Sequence, residues 1–135
     1  MQILHVAAGI IIHPVSEMIL IAKRLPGKPA AGMWEFPGGR IERDESSLLA
    51  LQRELREETG IEVQKAKEFL LVSHDYPDRR VLLNTYIVTA YSGEPYGVEG
   101  QEIRWVMPDT LPEYEFPAAN DVLIEKLLQQ PHGYR

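Results

Sequence analysis

Glu54, Glu57 and Glu58 stand at i, i+3 and i+4 in one short charged stretch. If that stretch is helical, their carboxylates leave a single face about one turn apart. Like charges at that spacing cost an isolated helix roughly 0.2–0.5 kcal/mol per pair, and acids near a helix C-terminus also oppose its dipole. Arg53, four residues before Glu57, relieves part of the repulsion, and a divalent cation relieves more. Carboxylate oxygens are the hard ligands Mg²⁺ prefers, and Mg²⁺ keeps waters and substrate phosphates in the rest of its shell. The alternative for such a helix is a solvated face laced with Arg53 and Arg56.

The surrounding charge is equally uneven. The chain has 135 residues with 20 Asp and Glu against 14 Lys and Arg, a net charge of -6. Eight acidic and four basic residues fall between Glu35 and Glu62, so -4 of the total sits around the three glutamates. An acidic balance argues against a partner that is a nucleic-acid polymer or an anionic membrane surface. With 44% apolar residues the chain can bury a core, and no stretch approaches the ~18 apolar residues of a membrane span. The length fits a single domain over 1–135. Cysteine is absent, which excludes disulfide and thiolate chemistry and allows a reducing compartment. Met1 to Ile12 is apolar but has no basic n-region or cleavage site and is followed by Pro14, so no secretory signal is expected and a cytoplasmic location is the default. His5, His13, His74 and His132 show no metal-ligand spacing and read as structural.

The elements that must hold these groups are legible in outline. His5–Ile12 and Met18–Arg24 read as strands joined by a short turn, together suggesting a hairpin. After a Pro/Gly-rich loop, Trp34 to Pro37 is a short apolar segment closed by Gly38-Gly39. Ser46–Glu58 reads as a helix, with Ser46 as N-cap, Leu48, Leu51 and Leu55 at i, i+3 and i+7, and Gly60 where a left-handed residue ends it. Phe69–His74, Arg80–Ala90 and Ile103–Met107 read as strands, and a last helix runs through about Asp121–Gln129 with Leu123, Leu127 and Leu128 apolar. This order of elements gives an α/β or α+β sandwich on a mixed sheet.

Gly39, five residues, Glu45, seven residues, then Arg53-Glu54-Leu55-Arg56-Glu57-Glu58-Thr59-Gly60-Ile61 resembles the Nudix box at every fixed position. The resemblance implies the Nudix α/β/α sandwich with a central mixed sheet and a loop-helix-loop catalytic motif. It also implies hydrolysis of a nucleoside diphosphate linked to a further group, with Mg²⁺ as cofactor and Mn²⁺ as a substitute. Carried over residue by residue, Glu54 and Glu58 are metal ligands, Glu57 is a ligand or holds a metal-bound water, and the Gly38 carbonyl is a further ligand. Glu54 is also the expected general base and Arg53 orients the glutamates. Glu45 belongs either to the metal site or only to the loop fold.

Four further segments are similar to the MutT-like branch, which hydrolyses 8-oxo-dGTP to 8-oxo-dGMP and pyrophosphate and so cleanses the nucleotide pool. They are Trp34 to Gly39, Tyr76 to Arg80, Gly93 to Gln101, and Phe116 to Asn120. On that likeness Glu99 approaches the metals, Asn120 reads the base, Arg24 contacts the nucleotide, and Phe36 and Arg79 line the pocket. An Asn amide accepts and donates at once, so it suits the N7 hydrogen and O6 of 8-oxoguanine, whereas guanine presents a lone pair at N7. On its residues alone Asn120 serves equally as a helix N-cap before Asp121. Arg40 stands where Lys is common after the paired glycines. Trp34-Glu35-Phe36 and the Arg53 to Glu58 run are also similar to relatives acting on CTP and modified pyrimidine triphosphates, the nearest rival. A nucleotide-binding module without catalysis is a further alternative, one that usually lacks box carboxylates. A monomer or small homo-oligomer is expected.

Overall fold

The apolar run near the start of the chain is a strand buried on both faces. In this computed structural model, which describes residues 2–129, β1 covers Gln2–Ile11. Met1 and His132 lie outside the described residues. Ala8 and Ile10 point into one core and Ala7 and Ile11 into another, which explains a continuous hydrophobic run instead of an alternating one. The remaining elements are β2 (Ile19–Lys23), β3 (Trp34–Glu35), β4 (Gly38–Arg40), α1 (Ser47–Thr59), β5 (Glu62–Asp75), β6 (Arg79–Ser92), β7 (Ile103–Val106), two 3₁₀ turns (Pro108–Glu113 and Ala118–Asn120) and α2 (Asp121–Leu128).

One sheet is mixed, in the order β4-β1-β6-β5, with β1 parallel to β6 and antiparallel to β4. The other, β3-β2-β7, is antiparallel throughout. Residues of α1 (Ala50, Leu51, Leu55) close the core that holds Ala7, Ile11 and Leu20, whereas Leu123 and Leu127 of α2 close the core of Ala8, Ile10, Ile19 and Ile21. The fold is therefore α+β with a mixed sheet and helices on opposite faces.

The hairpin expected from β1 and β2 does not form. Both edges of β1 are already taken, by β6 along its length and by β4 at Val6–Ala8. After a single bridge between Ile12 and Ile19 the chain crosses into the second sheet. His13 holds the turn by accepting the Val15 and Ser16 N–H groups on Nδ1, 3.1 Å each, a structural role as expected. β5 is much longer than expected: it is the edge strand of its sheet, and Lys65, Lys67 and Glu68 in its first half hide the apolar pattern.

α1 keeps the expected ends. The Ser46 hydroxyl accepts the Leu49 N–H at 3.1 Å and Gly60 turns left-handed at φ 75°. Leu51 and Leu55 are buried, but Leu48 and Leu128 are largely exposed, so each lies outside the apolar stripe of its helix. Among the described residues no helix is long and apolar enough to cross a membrane.

Candidate active site

The carboxylates of α1 are built against a bare backbone. β4 lies alongside the helix, and a Cβ added at Gly39 would stand 2.3 Å from the Glu54 carboxyl carbon, so only glycine lets Glu54 fold down onto the strand. The neighbouring Gly38 N–H donates to Glu58 Oε2 at 3.3 Å. The glycine pair thus touches two of the expected metal-binding glutamates directly.

Arg53 ties this platform to the loop before it. Its Nε and one terminal nitrogen bond the two Glu45 oxygens at 2.8 and 2.9 Å, and the same terminal nitrogen reaches the Arg40 carbonyl at 2.9 Å. The other terminal nitrogen bonds Glu54 Oε1 at 2.8 Å and lies 3.4 Å from Glu57 Oε2. Glu45 also accepts the Glu42 N–H, and these bonds hold its carboxyl at about 2. Both of its oxygens are engaged, Oε1 by the Glu42 N–H and Arg53 and Oε2 by Arg53, which gives Glu45 a part in joining the loop to α1.

Glu35, Glu58 and Glu99 line one cleft, and the charge of Glu54 acts on Glu58. Burial first, then the charge of Glu35, pushes Glu58 up to about 8; the Gly38 N–H offsets part of this, and Glu54 and Glu99 add to it. Burial also raises Glu54 against the pull of Arg53, and raises Glu35 against the pull of Arg24 and Lys28. Buried carboxylates facing one another must either take up protons or gain a cation. Among the described residues no group of three acidic or imidazole side chains is gathered closely enough to hold an ion as it stands. The donor set itself, all oxygen and net negative, is the chemistry that suits Mg²⁺ or Mn²⁺, and the charges of Glu35, Glu54 and Glu99 all act on Glu58. Glu57 is more than half exposed and stands at the rim.

Arg24, at the end of β2, lines the same cleft with Lys28, Glu35, Glu58, Glu99 and Gln101. Its guanidinium grips both oxygens of Glu35 at 2.9 and 3.0 Å and the Pro29 carbonyl at 2.6 Å. Phe36 is a core residue, 4% exposed, with its ring centroid 5.1 Å from that of Phe116. It links the cleft to the segment before α2 from below and is not an open wall.

Asn120 is not a side-chain cap. The 3₁₀ turn Ala118–Asn120 runs straight into α2, leaving Asn120 at φ -87°, ψ -8°, away from the extended geometry of an N-cap. Its Nδ2 instead donates to the Pro117 carbonyl at 3.2 Å. An amide nitrogen carries two hydrogens, so this bond fixes the side chain and still leaves a donor and the carbonyl oxygen. The next amide back, Ala119 N–H, donates to the Tyr76 hydroxyl at 3.0 Å, and the Arg79 guanidinium lies 4.9 Å over the Tyr76 ring. Tyr76 therefore stands between Arg79 and the turn that carries Asn120.

Sequence reasoning gave no role to Glu35, Tyr76 or Gln101. For Glu35 a signal existed: Trp34 and Phe36 alternate with it, so two aromatic side chains entering the core send the acid between them to the other face. Tyr76 and Gln101 carry no such signal, because each ties its loop to a backbone group 43 residues away.

Comparisons with known proteins agree with this geometry. A family model described as a NUDIX domain matches residues 7–126. An 8-oxo-dGTP diphosphatase from Haemophilus influenzae is 39% identical over 133 residues, covering 98% of this chain and 97% of that protein. A CTP pyrophosphohydrolase from Escherichia coli is 34% identical, covering 95% of this chain and 93% of its own. Among solved structures, one from work on MutT of Aliivibrio salmonicida and Vibrio cholerae superposes with a TM-score of 0.83 at 39% identity, covering 96% of this chain and 99% of that one. With the box filled at every position, the glycine-backed glutamates in place and the domain matched over most of its length, the chain belongs to the Nudix hydrolase family.

Proposed function

We propose that this chain is a Mg²⁺-dependent nucleoside triphosphate pyrophosphohydrolase that converts 8-oxo-dGTP to 8-oxo-dGMP and pyrophosphate. The observation that carries the reading is the cleft itself, lined by Glu35, Glu58 and Glu99, with Glu58 held by the Gly38 N–H and Glu54 packed against Gly39. A triphosphate brings about four negative charges, so it approaches this face only with cations between. The Gly38 carbonyl, Glu54, Glu57, Glu58 and Glu99 would hold Mg²⁺, with Mn²⁺ as a substitute. Bound there, the metal would neutralise charge on the phosphoryl oxygens and lower the pKa of a coordinated water.

The chain's own residues do the rest. Arg53 bonds Glu54 Oε1, which leaves Oε2 as the freer oxygen for the metal or for the proton of the attacking water. The bond from Arg53 to Glu45 keeps the guanidinium from swinging away. Arg24 and Arg79 are the cations beside the nucleotide, and Phe36 supports the pocket through Phe116. The Asn120 amide reads the base edge, its oxygen accepting the N7 hydrogen and its remaining N–H donating to O6. Against guanine the same oxygen meets a lone pair, and an unpaired buried polar group costs about 1–3 kcal/mol, roughly ten- to hundredfold.

A panel of triphosphates assayed with Mg²⁺ tests the reading, with 8-oxo-dGTP expected to show the highest kcat/KM. The relative named for CTP supports a second reading, a pyrimidine triphosphate pyrophosphohydrolase. Much higher kcat/KM on dCTP or 5-methyl-dCTP than on 8-oxo-dGTP would establish that reading in place of the first.

A further inference from the structure

The loop between β6 and β7 carries Glu99 and meets α1 at its C-terminal end. The last carbonyls of a helix have no partner inside it, and this loop supplies them. Tyr96 N–H donates to the Thr59 carbonyl and Val98 N–H to the Glu58 carbonyl, 3.1 Å each. Gln101 adds its side chain: Nε2 donates to the Glu58 carbonyl at 2.9 Å, while Oε1 accepts the Glu99 N–H at 2.9 Å. Both partners are backbone groups of fixed polarity, one an acceptor and one a donor. Only an amide satisfies both, and only in one orientation.

One side chain thus joins the backbone of Glu58 to that of Glu99, the residues whose carboxylates repel across the cleft. Glu99 is half exposed, and its nearest cation, Lys28, stands 4.0 Å away and is itself half exposed. Such a pair holds little. The turn from Gly100 N–H to the Gly97 carbonyl is local to the loop and fixes nothing against the helix.

We propose that Gln101 is a positioning residue for Glu99: its amide sets the register of the loop against α1, so that the Glu99 carboxylate stands over the cleft with that of Glu58. The inference rests on the reading of Glu99 as a metal ligand. Val98 still bonds the Glu58 carbonyl when the amide is removed, so its loss frees Glu99 and not the whole loop.

The test is Mn²⁺ binding without nucleotide, followed by the electron paramagnetic resonance signal of free Mn²⁺, for wild type, Gln101→Leu, Glu99→Gln and the double variant. Gln101→Leu should weaken Mn²⁺ binding on the order of tenfold, as loss of a group that orients a ligand does. In the Glu99→Gln background the same change should add nothing, because it acts through that carboxylate. Gln101→Lys, which keeps a donor for the Glu58 carbonyl but no acceptor for the Glu99 N–H, should also weaken binding and guards against misfolding of the leucine variant. Wild-type affinity in a folded Gln101→Leu or Gln101→Lys, with Glu99→Gln impaired, overturns the proposal, as does an additive loss in the double variant. If Glu99→Gln itself binds Mn²⁺ like wild type, the proposal falls together with the ligand reading of Glu99, and the fault lies in that reading.

Discussion

At the α1 end of the cleft, charged groups are held by other charged groups; at the α2 end, the holding is done by a carbonyl, a tyrosine hydroxyl and a tilted pair of phenyl rings. Arg53 alone bonds Glu45 and Glu54 and approaches Glu57, and the platform rests on a glycine strand with no room for a side chain. Asn120, by contrast, is steadied by the Pro117 carbonyl, and its neighbour Ala119 by Tyr76. The first region is preorganised for charge and tolerates little. The second, proposed to read the base, is held by contacts that are few and separately removable. If this division holds, damage at α1 should remove turnover on every nucleotide, and damage near α2 should remove the choice among nucleotides.

The largest effect is expected from Glu54→Gln, which keeps the shape and deletes the charge and the proton acceptor. Pyrophosphate release should fall by about 10²–10⁴-fold on all triphosphates alike, the range for loss of a general base. Burial raises the Glu54 carboxyl, so near neutral pH its ionised form works against folding. Calorimetry should therefore find a Tm no lower than that of wild type. Substantial turnover in this variant would break the assignment of the α1 end.

Gly39→Ala tests the same end through sterics alone. The new methyl would arrive 2.3 Å from the Glu54 carboxyl carbon, so the glutamate must move. A displacement of about 1 Å at a catalytic group costs roughly 10²-fold. The measurement is kcat on 8-oxo-dGTP and dGTP, with equal losses expected. A selective loss on one of them would mean that the glycine strand also shapes the base pocket.

The two ends also differ in how far the sequence reveals them. Glu54, Glu57 and Glu58 share a face because a helix repeats every 3.6 residues, and the Ser46 and Gly60 ends of α1 follow from local chemistry. Everything needed is within one segment. Tyr76 and Ala119 are 43 residues apart and meet only after the sheet is assembled. The same limit explains the missing β1–β2 hairpin, since pairing along β1 was decided by β6, far downstream. On its residues alone Asn120 suits a cap as well as a base contact; the 3₁₀ turn ahead of α2, which no local pattern foretells, takes its backbone out of cap geometry.

Asn120→Ala sharpens the comparison from the other side. The ratio of kcat/KM for 8-oxo-dGTP over dGTP should fall roughly ten- to hundredfold, the worth of one buried polar contact. Metal-dependent kcat should change far less, because no group on α1 is touched. Equal losses on both nucleotides would mark Asn120 as a structural residue.

The smallest effect belongs to Tyr76→Phe, and it asks whether the reader is steadied from a distance. The change keeps the ring beneath Arg79 and removes only the hydroxyl that accepts the Ala119 N–H. A hydrogen bond of this kind contributes about 0.5–1.5 kcal/mol, so the expected loss is at most about tenfold. Its direction carries the information. If Tyr76 holds the turn that aims Asn120, discrimination against dGTP should drop while kcat at saturating nucleotide stays near wild type, and the drop should vanish in an Asn120→Ala background. If discrimination is untouched while Tm falls, the hydroxyl serves the fold alone, and the Pro117 carbonyl suffices to aim the amide.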